Sequence, residues 1–191
     1  MTLQNTNTLR GRRILVSRPR EQSAGLAHGL RLNGAEVIEA PTIRIEPPMD
    51  WTAVDGAIRR MASYRWIIFT SVNGVKHFLG RMSAIGVDSR SLAKAKLAAI
   101  GPATRDELEA NGFEVAVVPE RFVAEEVFEA LKRSGPLEGC RVLLPRADIA
   151  RKALPELLQK EGVEVDVVVA YRTVPSIEDI RRALDLVSQG S

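Results

Sequence analysis

Residues 13–47 and 141–175 align without a gap, and this internal repeat limits the folds open to the chain more than any other feature. Arg13, Leu15, Arg18, Leu26, Leu30, Gly34, Glu36, Val37, Arg44 and Pro47 match Arg141, Leu143, Arg146, Leu154, Leu158, Gly162, Glu164, Val165, Arg172 and Pro175. Shared composition would give roughly two or three such identities rather than ten. The spacing is too long for a solenoid, so one structural unit is used twice, with something built between the copies. Each copy has an apolar run (14–16; 142–144) bounded by turn residues, which predicts a buried strand. A turn carrying arginine follows, then a helix with leucines at i and i+4, closed by Gly34 or Gly162. A second strand starts at Glu36 or Glu164. Strand–helix–strand order predicts parallel pairing through a right-handed crossover. The second strands, 37–45 and 165–174, run far enough to leave one sheet, although Pro41 breaks up the first. Both end near a proline, and they read as paired connectors between two domains.

The chain has 191 residues, enough for one ordinary domain or two small ones. Between the copies, Asp50 is placed to cap a helix over 51–63, and a strand at 66–70 leads into a helix holding His77 and Phe78. Further strands are expected at 96–100 and 114–118, the second stopped by Pro119, with a helix over 124–133. Strands beginning near 66, 96, 114, 141 and 163, alternating with helices, predict a doubly wound parallel sheet of the flavodoxin-like class. In such sheets ligands sit beyond the carboxyl ends of the strands. The loops there open helices whose free amides suit carboxylates or phosphates. Thr70, Ser71 and Thr104 read equally well as ordinary helix caps.

Composition closes off several functions. The 27 Lys and Arg residues against 24 Asp and Glu give a formal charge of +3, spread along the chain rather than blocked. That argues against a nucleic-acid arm and allows an anionic small ligand. The one cysteine, Cys140, forms no internal disulfide and is expected as a buried apolar filler. No apolar run approaches the ~20 residues of a membrane span, and the polar start is not a secretory signal, so a cytoplasmic protein is expected. Neither a glycine-rich dinucleotide fingerprint nor a phosphate-loop lysine motif occurs. His28 and His77 stand far from any cysteine or acidic cluster, so no metal site is expected.

Four stretches in order carry a resemblance. They are Ile68-Phe69-Thr70-Ser71-Val72-Asn73-Gly74-Val75, then Ala99-Ile100-Gly101-Pro102-Ala103-Thr104, then Leu144-Pro145-Arg146 with Arg151, then Ala170-Tyr171-Arg172-Thr173. With Val16-Ser17-Arg18-Pro19 ahead of them, the chain resembles the uroporphyrinogen-III synthase family over about residues 13–190. The resemblance implies two flavodoxin-like or Rossmann-like parallel-sheet domains joined by a two-stranded connector. One domain would take residues 12–38 with 177–191, the connectors 39–48 and 167–176, and the second domain 49–166. It implies cyclisation of hydroxymethylbilane with inversion of the last pyrrole ring and loss of water, without cofactor or metal. Tyr171 matches the family's interdomain tyrosine and is the catalytic candidate. Arg18, Thr70, Ser71, Gly101, Thr104, Arg146 and Arg151 are the substrate-binding candidates, the arginines because a guanidinium pairs with carboxylates in bidentate fashion. Tyr171 reads alternatively as a packing residue at a connector. Relatives commonly have glycine where Ala147 stands.

Implied partners are hydroxymethylbilane, hydroxymethylbilane synthase or a fused methyltransferase; no nucleic acid and no membrane are expected, and the complete protein would be a monomer. A non-catalytic α/β anion- or ligand-binding module remains the alternative, and a nucleotide-dependent enzyme is disfavoured by the missing phosphate loop. After the second copy, 180–184 matches the helix that follows the first, and the sequence stops at Gln189-Gly190-Ser191 where the next strand is due. The first domain is therefore expected to be incomplete, with apolar surface exposed around Ile14, Val16, Leu26 and Leu30, and the piece inactive by itself.

Overall fold

The structure, a computed structural model, describes residues 8–188, the side chains of Arg20 and Glu21 apart. Residues 189–191, where the sequence leads one to expect a further strand, lie outside the described residues. In chain order the first elements are β1 (Arg13–Val16), α1 (Arg20–Leu32), β2 (Glu36–Glu39), β3 (Ile43–Glu46), α2 (Thr52–Arg59), β4 (Trp66–Phe69) and α3 (Val72–Ala84). Then come β5 (Lys96–Ala99), α4 (Pro102–Ala110), α5 (Ala124–Arg133), β6 (Arg141–Ala147), α6 (Ala153–Lys160), β7 (Glu164–Pro175) and α7 (Ile177–Ser188). The chain divides into two compact units, Met1–Glu46 with Thr173–Ser191, and Pro47–Arg172.

In the first unit β1 and β2 pair in parallel around α1, and the register opens with Arg13 opposite Glu36, an ion pair at 3.6 Å. The second copy of the repeat does the same. β6 and β7 pair in parallel around α6, opening with Arg141 opposite Glu164 at 2.6 Å. Gly34 and Gly162 end their helices at φ +89° and +76°, a left-handed conformation that a side chain would strain. The copies part at one position. β2 stops at Glu39 and β3 begins at Ile43, because Pro41 offers no N–H to a ladder; Val169 at the equivalent place lets β7 run unbroken for 12 residues. The single long strand expected over 37–45 is thus two strands.

The exposed apolar surface agrees with expectation at Leu26 and departs from it at Val16. Val16 is buried at 4 %, while Leu15 and Leu26 are exposed and Ile14 and Leu30 half-buried. Alternate strand residues face opposite ways, and α1 turns Ser23 and Ala27 inward instead of Leu26.

The larger sheet has the order β3-β7-β6-β4-β5. β4 pairs in parallel with both β5 and β6, and β6 with β7. Helices cover both faces, which is why all four residues of β4 are buried. Its period of two divides them between two cores. Ile67 and Phe69 join Val54, Ile58, Val75, Phe78, Met82 and Leu108 from α2, α3 and α4. Trp66 and Ile68 join Val127, Leu131, Leu154 and Leu158 from α5 and α6. Each such side chain contributes roughly 1.5–3 kcal/mol on burial.

Three expectations need correction. The strand placed at 114–118 is a single bridge between Val117 and Ala98. Ala116 N–H donates to Leu97 O and Ala99 N–H to Val117 O, both at 2.9 Å, and Pro119, which has no N–H, follows at once. The helix over 51–63 is α2 followed by a separate 3-10 turn, Met61–Ser63; Asp50 Oδ1 does accept from Thr52 N–H at 2.9 Å. Cys140 is half-buried, its thiol near Pro136 O at 3.6 Å. The ends of the second unit are tied together: Arg172 Nε–H donates to Pro47 O at 3.1 Å. Among the described residues no helix is long and apolar enough to cross a membrane.

Candidate functional site

The chain leaves β4 for β5 on one side and returns to β6 on the other, so the strand order reverses between β4 and β6. Loops diverge from such a point and leave a crevice beyond the strand ends. After β4, Thr70 and Ser71 lead into α3; after β6, residues 148–152 lead into α6, on the other face. Thr70, Ile100, Leu144, Arg146, Arg151 and the start of α5 with Phe122 and Val123 line a cavity of about 360 Å³ there.

Arg146 is the unusual side chain of this cavity. It lies near the end of β6, only 7 % exposed, and a guanidinium N–H donates to the Ala150 carbonyl. Among the described residues no carboxylate forms an ion pair with it, and burial pulls its pKa below the ordinary value. A buried cation without a counterion is costly, and this one lies on a cavity wall. The bond to Ala150 also shapes the turn leading to exposed Arg151.

Beside it a β-bulge shifts the β6–β7 register between Arg146 and Ala147, so that Ala147 faces Tyr171. Bulges re-aim side chains at the ends of strands. Tyr171 is 8 % exposed, and its hydroxyl lies 3.0 Å from Ser71 Oγ. Ser71 caps α3 by accepting from Gly74 N–H at 3.0 Å. One Ser71 lone pair is thus taken. If Ser71 donates to Tyr171, the phenolic proton is free for a ligand; if Tyr171 donates, it is not. Gly74 is needed by close approach, because a Cβ there would stand 3.2 Å from Pro145 O and 3.3 Å from Ser71 Oγ. His77 of α3 stacks on the Tyr171 ring, centroids 5.8 Å apart and planes at 25°. Burial lowers the His77 pKa below 6.5, which keeps the imidazole neutral at pH 7.

Of the residues singled out from sequence, Thr70, Arg146 and Arg151 share the cavity. Ser71 and Tyr171 bond to each other, and the consecutive pair Thr70–Ser71 joins the two groups. Gly101 and Thr104 do not line the cavity. Gly101 is the N-cap of α4 and backs onto the Phe122 ring, 3.7 Å from where its Cβ would be; Thr104 is buried in the first turn of α4. Arg18 belongs to the first unit and is exposed. Sequence reasoning passed over Phe122 and gave His77 no role. An aromatic just before a helix, after Pro119, was the available signal for the first. Among the described residues no group of three or more His, Cys, Asp or Glu is placed to hold a metal.

Comparison with known proteins bears on the fold and the family. The Thermus thermophilus uroporphyrinogen III synthase mutant structure superposes with a TM-score of 0.69 at 19 % identity, covering 94 % of this chain and 69 % of that one, and so shares the fold. A uroporphyrinogen-III synthase of Chlorobaculum parvum is 27 % identical over 93 % of this chain and 70 % of its own length. One from Synechococcus elongatus is 36 % identical over 164 residues, 85 % of this chain; the match spans 61 % of the cyanobacterial protein's length. The HEM4 family profile, uroporphyrinogen-III synthase HemD, matches residues 24–191, and with most of its length inside that match the chain belongs to the uroporphyrinogen-III synthase family.

Proposed function

We propose that this chain serves the cyclisation of hydroxymethylbilane to uroporphyrinogen III, and that the cavity between β4 and β6 holds part of that polycarboxylate. The observation carrying this reading is Arg146, a cation 7 % exposed on a cavity wall that forms no ion pair with a carboxylate among the described residues. A ligand carboxylate would supply the missing charge, with Arg151 and the Thr70 hydroxyl beside it. Around these residues the protein's task is mostly shape. The bilane loses its terminal hydroxyl as water, leaving an azafulvene that its own pyrrole attacks, and the cleft must present the substituted carbon of the last ring. Tyr171 is the proton donor in this reading. A proton passing from its hydroxyl to the departing oxygen requires the arrangement in which Ser71 donates to Tyr171. The reaction as written needs no redox step and no metal.

The same reading takes the protein as two flavodoxin-like α/β domains with residues 39–48 and 167–176 as connectors, acting in the cytoplasm. The test is incubation of residues 1–191 with hydroxymethylbilane and separation of the oxidised products. Excess of the III isomer over the uncatalysed I isomer supports the reading. Only the I isomer, together with no binding of uroporphyrin III, opposes it.

A further inference from the structure

Phe122 is 58 % exposed, a large apolar side chain left in water at the mouth of the cavity that Arg146 lines. Isolated exposed apolar residues are ordinary; this one is held in place from three sides. Val123 N–H donates to Arg121 O at 2.9 Å, which makes Phe122 the apex of a three-residue turn. Arg121 is anchored in turn by its ion pair with Glu126 of α5. The ring rests against Gly101, whose missing side chain leaves the Phe122 carbons 3.7 Å from the Cβ position. Val123, also exposed at 48 %, continues the apolar strip along the same rim. Arg146 and Arg151 line the same cavity, as does the exposed Glu125. An aromatic ring and cationic groups lining one cavity match a ligand whose flat apolar rings bear carboxylates at their edges.

We infer that Phe122 is a specificity-determining platform, receiving the face of one pyrrole ring while Arg146 takes a carboxylate carried by that ring or its neighbour. This rests on the function proposed above, and assigns Gly101 the part of backing the platform. Simple polycarboxylates without rings would use the cationic groups and ignore Phe122.

The test compares two probes, uroporphyrin III and the ring-free tricarboxylate tricarballylate, on residues 1–191 and three variants, by fluorescence quenching for the first and thermal shift for the second. Phe122→Ala is expected to weaken uroporphyrin about three- to ten-fold, the reach of one aromatic contact, and to leave the tricarballylate shift unchanged. Phe122→Tyr should restore the uroporphyrin affinity. Arg146→Gln should weaken both probes. If Phe122→Ala binds uroporphyrin as the wild type does while Arg146→Gln does not, the platform is refuted and the function reading stands. If Phe122→Ala loses both probes alike, the turn merely supports the cationic groups and the platform is again refuted. A wild type that binds neither probe refutes both.

Discussion

Replacing Arg146 with methionine should separate stability from binding. The guanidinium is 7 % exposed, its N–H bond to the Ala150 carbonyl offsets part of its burial, and among the described residues it forms no ion pair with a carboxylate. Deleting that bond removes about 1.5–3 kcal/mol, the worth of a hydrogen bond from a charged donor. Deleting the charge returns a desolvation cost of several kcal/mol for a buried ion. Methionine fills most of the apolar stem's volume beside Leu144 and Leu154 and is flexible enough to settle there. The balance is an unfolding free energy unchanged or raised by about 1–2 kcal/mol. Uroporphyrin affinity should fall roughly ten- to hundred-fold, because the charge-assisted bond to a carboxylate is gone. Urea unfolding followed by tryptophan fluorescence measures the first quantity cleanly, since both tryptophans, Trp51 and Trp66, lie in the Pro47–Arg172 unit. A variant destabilised by more than about 2 kcal/mol that still binds uroporphyrin would show that Arg146 is a structural strut, and that the missing counterion means nothing for function.

Tyr171→Phe removes one hydroxyl and its 3.0 Å contact with Ser71; turnover of hydroxymethylbilane should fall ~10²-fold with the urea midpoint almost unmoved, and unaltered turnover would leave Tyr171 a packing residue. Burial holds the His77 pKa below 6.5, so the unfolded chain takes up the proton first; stability present near pH 7 should be lost as pH falls below about 6.5. His77→Phe, which keeps a ring over Tyr171, should flatten that part of the pH dependence; an identical dependence in the variant would assign it to other groups. Gly74→Ala places a Cβ 3.2 Å from the Pro145 carbonyl, which β6 holds in its ladder. Strain of about 1–3 kcal/mol should exceed the gain of ~1 kcal/mol in helix propensity, and a stabilised variant would show that the α3 N-terminus can move away from β6.

The repeat is legible in the sequence because its signals are local: apolar runs, leucine spacing and a terminal glycine lie within 35 residues of each other in each copy. The residues of the ion pairs Arg13–Glu36 and Arg141–Glu164 stand out as identities between the copies, but their pairing is a fact of register that sequence does not print. Thr70, Arg146 and Arg151 are legible because each follows or closes a strand, where the α/β layout gathers ligand contacts. The segment 114–118 has strand composition, but that it pairs only through the Val117–Ala98 bridge is a fact of register that composition does not print. The facing of α1 is not legible for a related reason. Helical spacing gives a stripe but not which way the stripe faces, and Ala27, one residue on, occupies the inside. Nothing local marks His77 as the neighbour of Tyr171, since α3 and β7 are almost a hundred residues apart and meet only through the sheet order.

The bond from Arg172 to Pro47 O has a consequence for how the chain is made. The first unit needs residues 1–46 and 173–191, so a ribosome has delivered the whole second unit before the first can be finished. Left as slack chain, a separation of 125 positions along the sequence would stand between the two pieces to be joined. Once residues 47–172 have folded, the entry and exit of that excursion are one hydrogen bond apart. The search between the outer segments then resembles closure of a short loop, which costs less entropy and takes less time. Assembly from the middle outward follows, with the interior unit as an early product of synthesis and the terminal pieces as latecomers. A substitution at Arg172 would therefore be felt first in the yield of refolded protein, before any change in equilibrium stability.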